Sequence, residues 1–148
     1  MDTRKNREIN TPYELFGIEC GKGWMSLIQP ILDYIKEYNA KVSTDEKIEI
    51  LQIKEKMGTL RIYLDNAPEE LLKMVDDAER DSGNICELCG SRENVGKTSG
   101  YIMTMCYECV RKKVKDGQRG YISWKPNEEK EWKLITDNDE IIIGENNF

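Results

Sequence analysis

The 148-residue chain contains no histidine. That absence removes every histidine general base, every catalytic triad built on imidazole and every catalytic zinc held by imidazole. It also removes the usual pH sensor of proteins. No run approaches the roughly 20 apolar residues that a membrane-spanning helix needs. The opening MDTRKNREIN is polar throughout and lacks the apolar stretch and small-residue cleavage site of a secretory signal. No repeat and no low-complexity tract is evident. The expected setting is the cytoplasm, where thiols stay reduced.

Apolar residues are modest at 39% and charged ones abundant at 34%, which describes a well-solvated chain with a limited core. The length suits one domain with a metal-stapled appendage, or two small lobes, and is enough to bury a core without help from a metal. The net charge of −6 argues against general affinity for nucleic acid or anionic membranes. Charge is uneven, however. Residues 86–120 carry 7 basic and 4 acidic side chains between two acidic flanks. Within this island Arg111, Lys112, Lys113 and Lys115 could meet a phosphate or an acidic partner, or form the solvated face of a helix.

Four of the five cysteines fall in two matched pairs. Cys86 and Cys89 stand in CELCG, and Cys106 and Cys109 in CYEC, with sixteen residues between the pairs. One C-x2-C pair wraps one side of a metal ion and a second closes the tetrahedron. Soft sulfur donors in that geometry suit Zn(II), with mononuclear iron as the lesser possibility. Disulfides and a redox pair are the rival readings; the reducing setting disfavours the first, and the missing βαβ pattern disfavours the second. Four protein thiolates leave no coordination position for water or substrate, so the expected cofactor is one structural Zn(II) ion.

Four segments are expected. Residues 1–12 read as a flexible arm, 13–84 as an α+β body, 85–119 as a four-cysteine zinc finger, and 120–148 as a strand-rich tail packing on the body. In the body, Trp24, Leu27, Ile28, Ile31, Leu32, Ile35 and Tyr38 recur at helical spacing. Ser26 with Gln29 resembles a capping box, Pro30 bends the helix or delays its start, and Asn39 is a stop signal. Residues 47–65 alternate apolar and charged side chains around Gly58, which predicts a β-hairpin turning at Lys56 to Thr59. The change of phase between Ile50 and Ile53 calls for a bulge or burial of both faces. A second helix follows, with Asn66 and Glu69 as its capping pattern and Gly83 as a left-handed stop. The expected body is therefore two helices packed on a small antiparallel hairpin or sheet. The finger reads as a knuckle, a hairpin over 94–105 and a helix from CYEC, which is the treble-clef order; a zinc ribbon is the alternative. The tail offers strands at YISW and EWKLI and a further arm turning at Asp137 to Asp139.

The candidate ligand site outside the metal is the cluster Lys54, Lys56 and Arg61. Alternation places Lys54 and Lys56 on one sheet face, with Arg61 joining them across the hairpin and Glu55 on the other side. These cations could hold phosphate while Trp24 or Tyr63 stacks a base. The competing reading is a charged, solvated sheet face. Cys20 reads as a buried free thiol. Glu19, Asp33, Asp76, Asp77 and Asp81 read as solvated carboxylates rather than a metal site.

In order, GKGWMSLI, QIKEKMGTLRIY, CELCG and GYIMTMC-x-x-C resemble a family of small uncharacterised bacterial and bacteriophage proteins. Its pattern is a G-x-GW start, a QIKEK-x-G-x-LR core, a C-x-x-CG knuckle and a closing C-x-x-C or C-x-x-H. The resemblance covers about residues 13 to 112 and is most specific at QIKEK-G-LR. Met57 stands where the pattern has an aromatic, and Cys109 where histidine is frequent. The family implies zinc and a bacterial or phage setting, and matches Gly23, Trp24, Lys54, Glu55, Lys56, Gly58 and Arg61. It supplies no activity.

These features predict a non-enzymatic binding protein that recognises a host protein or a small anionic ligand, which in a phage setting includes interference with a bacterial defence. A nucleotide-sequestering protein using Lys54, Lys56 and Arg61 is the first alternative. Nucleic-acid binding through the basic 111–119 segment is the second. An enzyme using Glu55 with Lys54 or Lys56 ranks last, because an exposed lysine is a poor base. No membrane partner is expected, and the oligomeric state is left open.

Overall fold

The computed structural model describes residues 10–117 and 120–145. The chain is α+β, with four helices and two sheets rich in antiparallel pairing among these residues. No described helix is long and apolar enough to cross a membrane.

Order begins earlier than the sequence suggests. Helix α1 (Pro12–Phe16) starts inside the stretch read as an arm. Thr11 accepts from the backbone N–H of Glu14, and the Glu14 carboxylate accepts from the N–H of Thr11, a complete capping box with proline in the first turn. The rest of the predicted arm, residues 1–9, lies outside the described residues.

Strand β1 (Ile18–Glu19) runs parallel to β2 (Glu49–Lys56), which pairs antiparallel with β3 (Thr59–Asp65). The predicted hairpin turn is present. Lys56 faces Thr59, and Met57 and Gly58 both take positive φ, the two-residue turn that matches strand twist. The register slips between Ile50 and Gln52. This bulge at Leu51 resets the alternation, so that Ile48 and Ile53, of opposite parity, both reach the core. The N–H groups along the outer edge of β3 are met by helix side chains. Leu60 donates to Ser82 Oγ and Ile62 to Glu79 Oε2, which closes the edge without another strand.

Helix α2 (Met25–Asn39) does not use the Ser26–Gln29 box. It starts from Trp24 with no side-chain cap, and Gln29 donates instead to Asp33. Pro30 lies inside the helix on its exposed side, where water can serve the freed Ser26 carbonyl. Asn39 ends the helix as expected. Its amide brackets Ile48, accepting from the backbone N–H and donating to the carbonyl, and so sets the start of β2.

Helix α3 (Glu69–Asp81) departs from its predicted caps at both ends. Its N-cap is Pro68, while Asn66 takes positive φ and donates to the carbonyls of Asp45 and Lys47. At the other end the helix passes into a tight turn (Ser82–Asn84), and Gly83 does not take positive φ. Ser82 replaces it as the stop, donating to Glu79 O. Side chains from α2, α3, β2 and β3 share one core with Trp24 and Ile85.

The tail strands pair with those of the cysteine-bearing segment, and the tail meets the body where Asn127 donates to Gly83 O. Strands β4 (Val95–Thr98), β5 (Thr104–Cys106), β6 (Tyr121–Pro126), β7 (Trp132–Thr136) and β8 (Glu140–Gly144) form one sheet in the order β5-β4-β6-β7-β8. The tail thus supplies three of the five strands of this sheet. Gly96 makes the junction possible, since a Cβ there would overlap Lys125 O and the Trp124 ring. Trp124 packs in the second core, donates to Met105 O and tilts against Tyr107. Helix α4 (Tyr107–Lys115) covers this sheet through Val110 and Val114. The predicted arm at 137–139 is the β7–β8 turn, where Thr136 donates to Asp139 O.

Candidate metal centre

Cys86, Cys89, Cys106 and Cys109 bring their sulfurs within 4.8 Å of one another. Cys89 Sγ and Cys106 Sγ are 3.6 Å apart, close to the tetrahedral edge of about 3.8 Å that four Zn–S bonds of about 2.3 Å define. The first pair stands on a knuckle. Gly90, at φ +83, donates to Cys86 O, and Cys86 donates to Ser91 O. The second pair spans the start of α4, with Cys106 as its N-cap and Cys109 in the first turn, where the helix dipole favours negative sulfur.

Three of the sulfurs, those of Cys86, Cys106 and Cys109, are shifted from an ordinary thiol. Burial raises the Cys86 pKa, but N–H groups of Cys106, Cys89 and Leu88 aimed at its sulfur outweigh it and the net shift is down. Cys106 is pushed up to about 11, first by burial and then by Cys89 and the charge of Cys86. Burial, then Cys106, then Cys86 push Cys109 up as well. Burial first, and the neighbouring sulfurs after it, disfavour ionisation of Cys106 and Cys109, and a cation at the centre would offset both. The donor set fits a soft divalent metal with its coordination filled by protein.

The knuckle is also the joint between the lobes. Glu87, between the two ligands of the first pair, accepts from Gly23 N at its carbonyl (2.7 Å) and from Gly21 N at its carboxylate (2.9 Å), and donates its own N–H to Thr104 O. Trp24 Nε1 donates to Ile85 O at 2.8 Å. Gly21 and Gly23 have no room for side chains, because a Cβ on either would overlap Glu87 O. Glu87 is buried and its pKa is raised, chiefly by burial, against the opposing Gly21 hydrogen bond. On the far side Thr104 Oγ1 donates to Gly58 O and accepts from Lys97, tying the hairpin turn of the body to β5.

This arrangement reassigns Trp24. It is fully buried beneath the knuckle and cannot stack a ligand base. The cations do share a face. Lys54 stands opposite Arg61, Lys56 follows on the same side, and Lys54 Nζ lies 5.8 Å from the Tyr63 ring centre. Trp24 occupies the core on the opposite face, and Arg61 lies 3.9 Å from Glu79. Glu55 points away from the lysines, and its carboxylate accepts from Gly58 N. Cys20 is half-buried and pushed up to about 12 by burial and then by Glu87 and Glu55, so its thiol stays protonated. Arg80 pairs with Asp76 and Asp77, while a two-bond pairing with Arg92 holds the Asp81 carboxyl below the usual range. In the basic helix, Arg111 donates to the carbonyls of Thr136 and Asp137.

Sequence reading passed over Glu87, Thr104 and Lys97. The signal for Glu87 was its position between two ligands, combined with a G-x-G-W turn that implies close backbone approach. Compared with protein families, curated proteins and solved structures, the chain shows no match.

Proposed function

We propose that this chain is a non-enzymatic binding protein stapled by one structural Zn(II). The observation that carries the reading is the closed set of four sulfurs, which leaves a bound metal no position for water or substrate. Knuckle, β4–β5 hairpin and α4 make the treble-clef order, with Cys86 and Cys89 on the knuckle and Cys106 and Cys109 at the helix start. The metal holds the knuckle in the shape that receives Gly21, Gly23 and Trp24, so its role is to fix one lobe on the other. Recognition then falls to the outer surfaces, with a host protein or a small anionic ligand as partner, in keeping with a bacterial or phage setting.

Cobalt(II) substitution tests the closed site. A filled CoS4 centre gives intense tetrahedral absorption bands that added azide or cyanide leaves unchanged. A spectrum that shifts with these anions would reveal an open position and return the chain to the metalloenzymes.

A further inference from the structure

The cysteine-bearing lobe contains a cavity of about 290 Å³ between the β4–β5 connection and α4. Its floor is apolar, formed by Met105 and Ile122, with Met103 beside them. One wall carries Lys113 of α4, and Ser99 and Tyr101 stand at the rim. The connection is held in place before any ligand arrives. Thr98 Oγ1 donates to Tyr101 O and accepts from Met103 N, and Thr98 N donates to Met103 O. Lys113 forms no ion pair among the described residues, although its charge is felt at Glu87. Tyr101 leaves 68% of its surface exposed over the opening.

We propose that this cavity binds a small aromatic monocarboxylate, its ring held among Met103, Met105 and Tyr101 and its carboxylate at Lys113. Three features choose that class. The volume sits at the lower edge of the range of about 300–1,000 Å³ typical of ligand pockets, which suits one ring with a short acidic arm rather than a nucleotide. Thioethers make favourable contacts with aromatic ring edges and adapt to their shape. A single ammonium is a point charge that matches one carboxylate, whereas phosphate recognition favours a guanidinium fork or several donors. The inference rests on the reading of the chain as a binding protein and names its ligand. It moves the anion site from the Lys54–Arg61 face to the cysteine-bearing lobe.

The test uses the full, zinc-loaded chain labelled with ¹³C at the methionine methyls, with Met103→Leu and Met105→Leu variants to assign two of the six signals. Phenylacetate is the probe, with uncharged 2-phenylethanol and cationic phenethylamine as comparisons. The expected result is a saturable shift of the Met103 and Met105 methyls with phenylacetate, about tenfold or more weaker with the alcohol. Lys113→Gln should erase the preference for the acid, and Lys113→Glu should turn it toward the amine, both with zinc still bound. The inference is overturned by no saturable shift at millimolar phenylacetate, or by equal binding of all three probes. If zinc is present and the fold intact when that happens, only the ligand assignment falls. A metal-free chain would instead sink the structural-zinc reading, whatever the cavity binds.

Discussion

Gly23→Ala is the sharpest perturbation of the joint between the lobes. Gly23 does not take a positive φ, so alanine fits the local backbone and only space objects. A Cβ there would overlap Cys86 O and lie 2.5 Å from Glu87 O and 2.6 Å from the Glu87 carbonyl carbon. These are backbone atoms of the knuckle and cannot rotate away. Overpacking of this kind costs about 1–3 kcal/mol, and the displaced Gly23–Glu87 hydrogen bond about 1 kcal/mol more. The expected loss is therefore about 2–4 kcal/mol. If all of it falls on the metal-loaded state, zinc affinity drops by about thirtyfold to a thousandfold. Urea unfolding of the loaded protein gives the first quantity, and competition with a chromophoric chelator gives the second. Gly120→Ala, with nothing within 4 Å of the new Cβ, serves as the control and should match wild type in both. A Gly23→Ala protein with the wild-type urea midpoint and unchanged zinc affinity would refute the joint.

Other substitutions probe separate contacts. Trp24→Phe keeps an aromatic ring but removes the pyrrole part of the buried indole with its donor to Ile85 O; the carbonyl left unpaired should cost about 1–3 kcal/mol in urea and the lost packing adds to that, with zinc retained. Ser82→Ala strips the acceptor from the buried Leu60 N–H and should cost about 1–3 kcal/mol, read the same way. Lys97 supplies a pH dependence. Its pKa is lowered from 10.5, first by burial and then by Lys125. Between that lowered value and 10.5 the unfolded chain binds more protons than the folded one, so this group makes stability rise with pH across the window. Lys97→Met should remove that rise, visible as a wild-type minus variant stability difference that grows with pH; parallel profiles would contradict it.

The four-cysteine cluster was legible because a pair-wise cysteine spacing is local chemistry that needs no tertiary context. The hairpin at Lys56–Thr59 and the bulge at Leu51 were legible for a similar reason, since alternation and its interruption are written residue by residue. The helix caps were not. Ser26 with Gln29 and Asn66 with Glu69 have the right letters, but the start of α2 is set by Gly23 and Trp24 docking on Glu87 and Ile85, and that of α3 by Asn66 reaching back to Asp45 and Lys47. Trp24 misled in the same way. An aromatic near a cationic strand suggested stacking, whereas its indole N–H closes a contact 61 residues away. The sheet that the tail joins was not legible, because alternation shows strands without naming their partner, and β6 pairs with β4 through Gly96, whose small size carries no periodic signal.

The central claim is that the sulfur-held metal fixes the knuckle against the body. Amide hydrogen exchange at Gly21 and Gly23, with the Trp24 indole N–H, measures it most directly. These protons should be protected in the zinc-loaded chain and become fast when zinc is withdrawn by a chelator, while amides deep in β2 and β3 stay slow. Equal protection in loaded protein and in folded, metal-free protein would contradict the account.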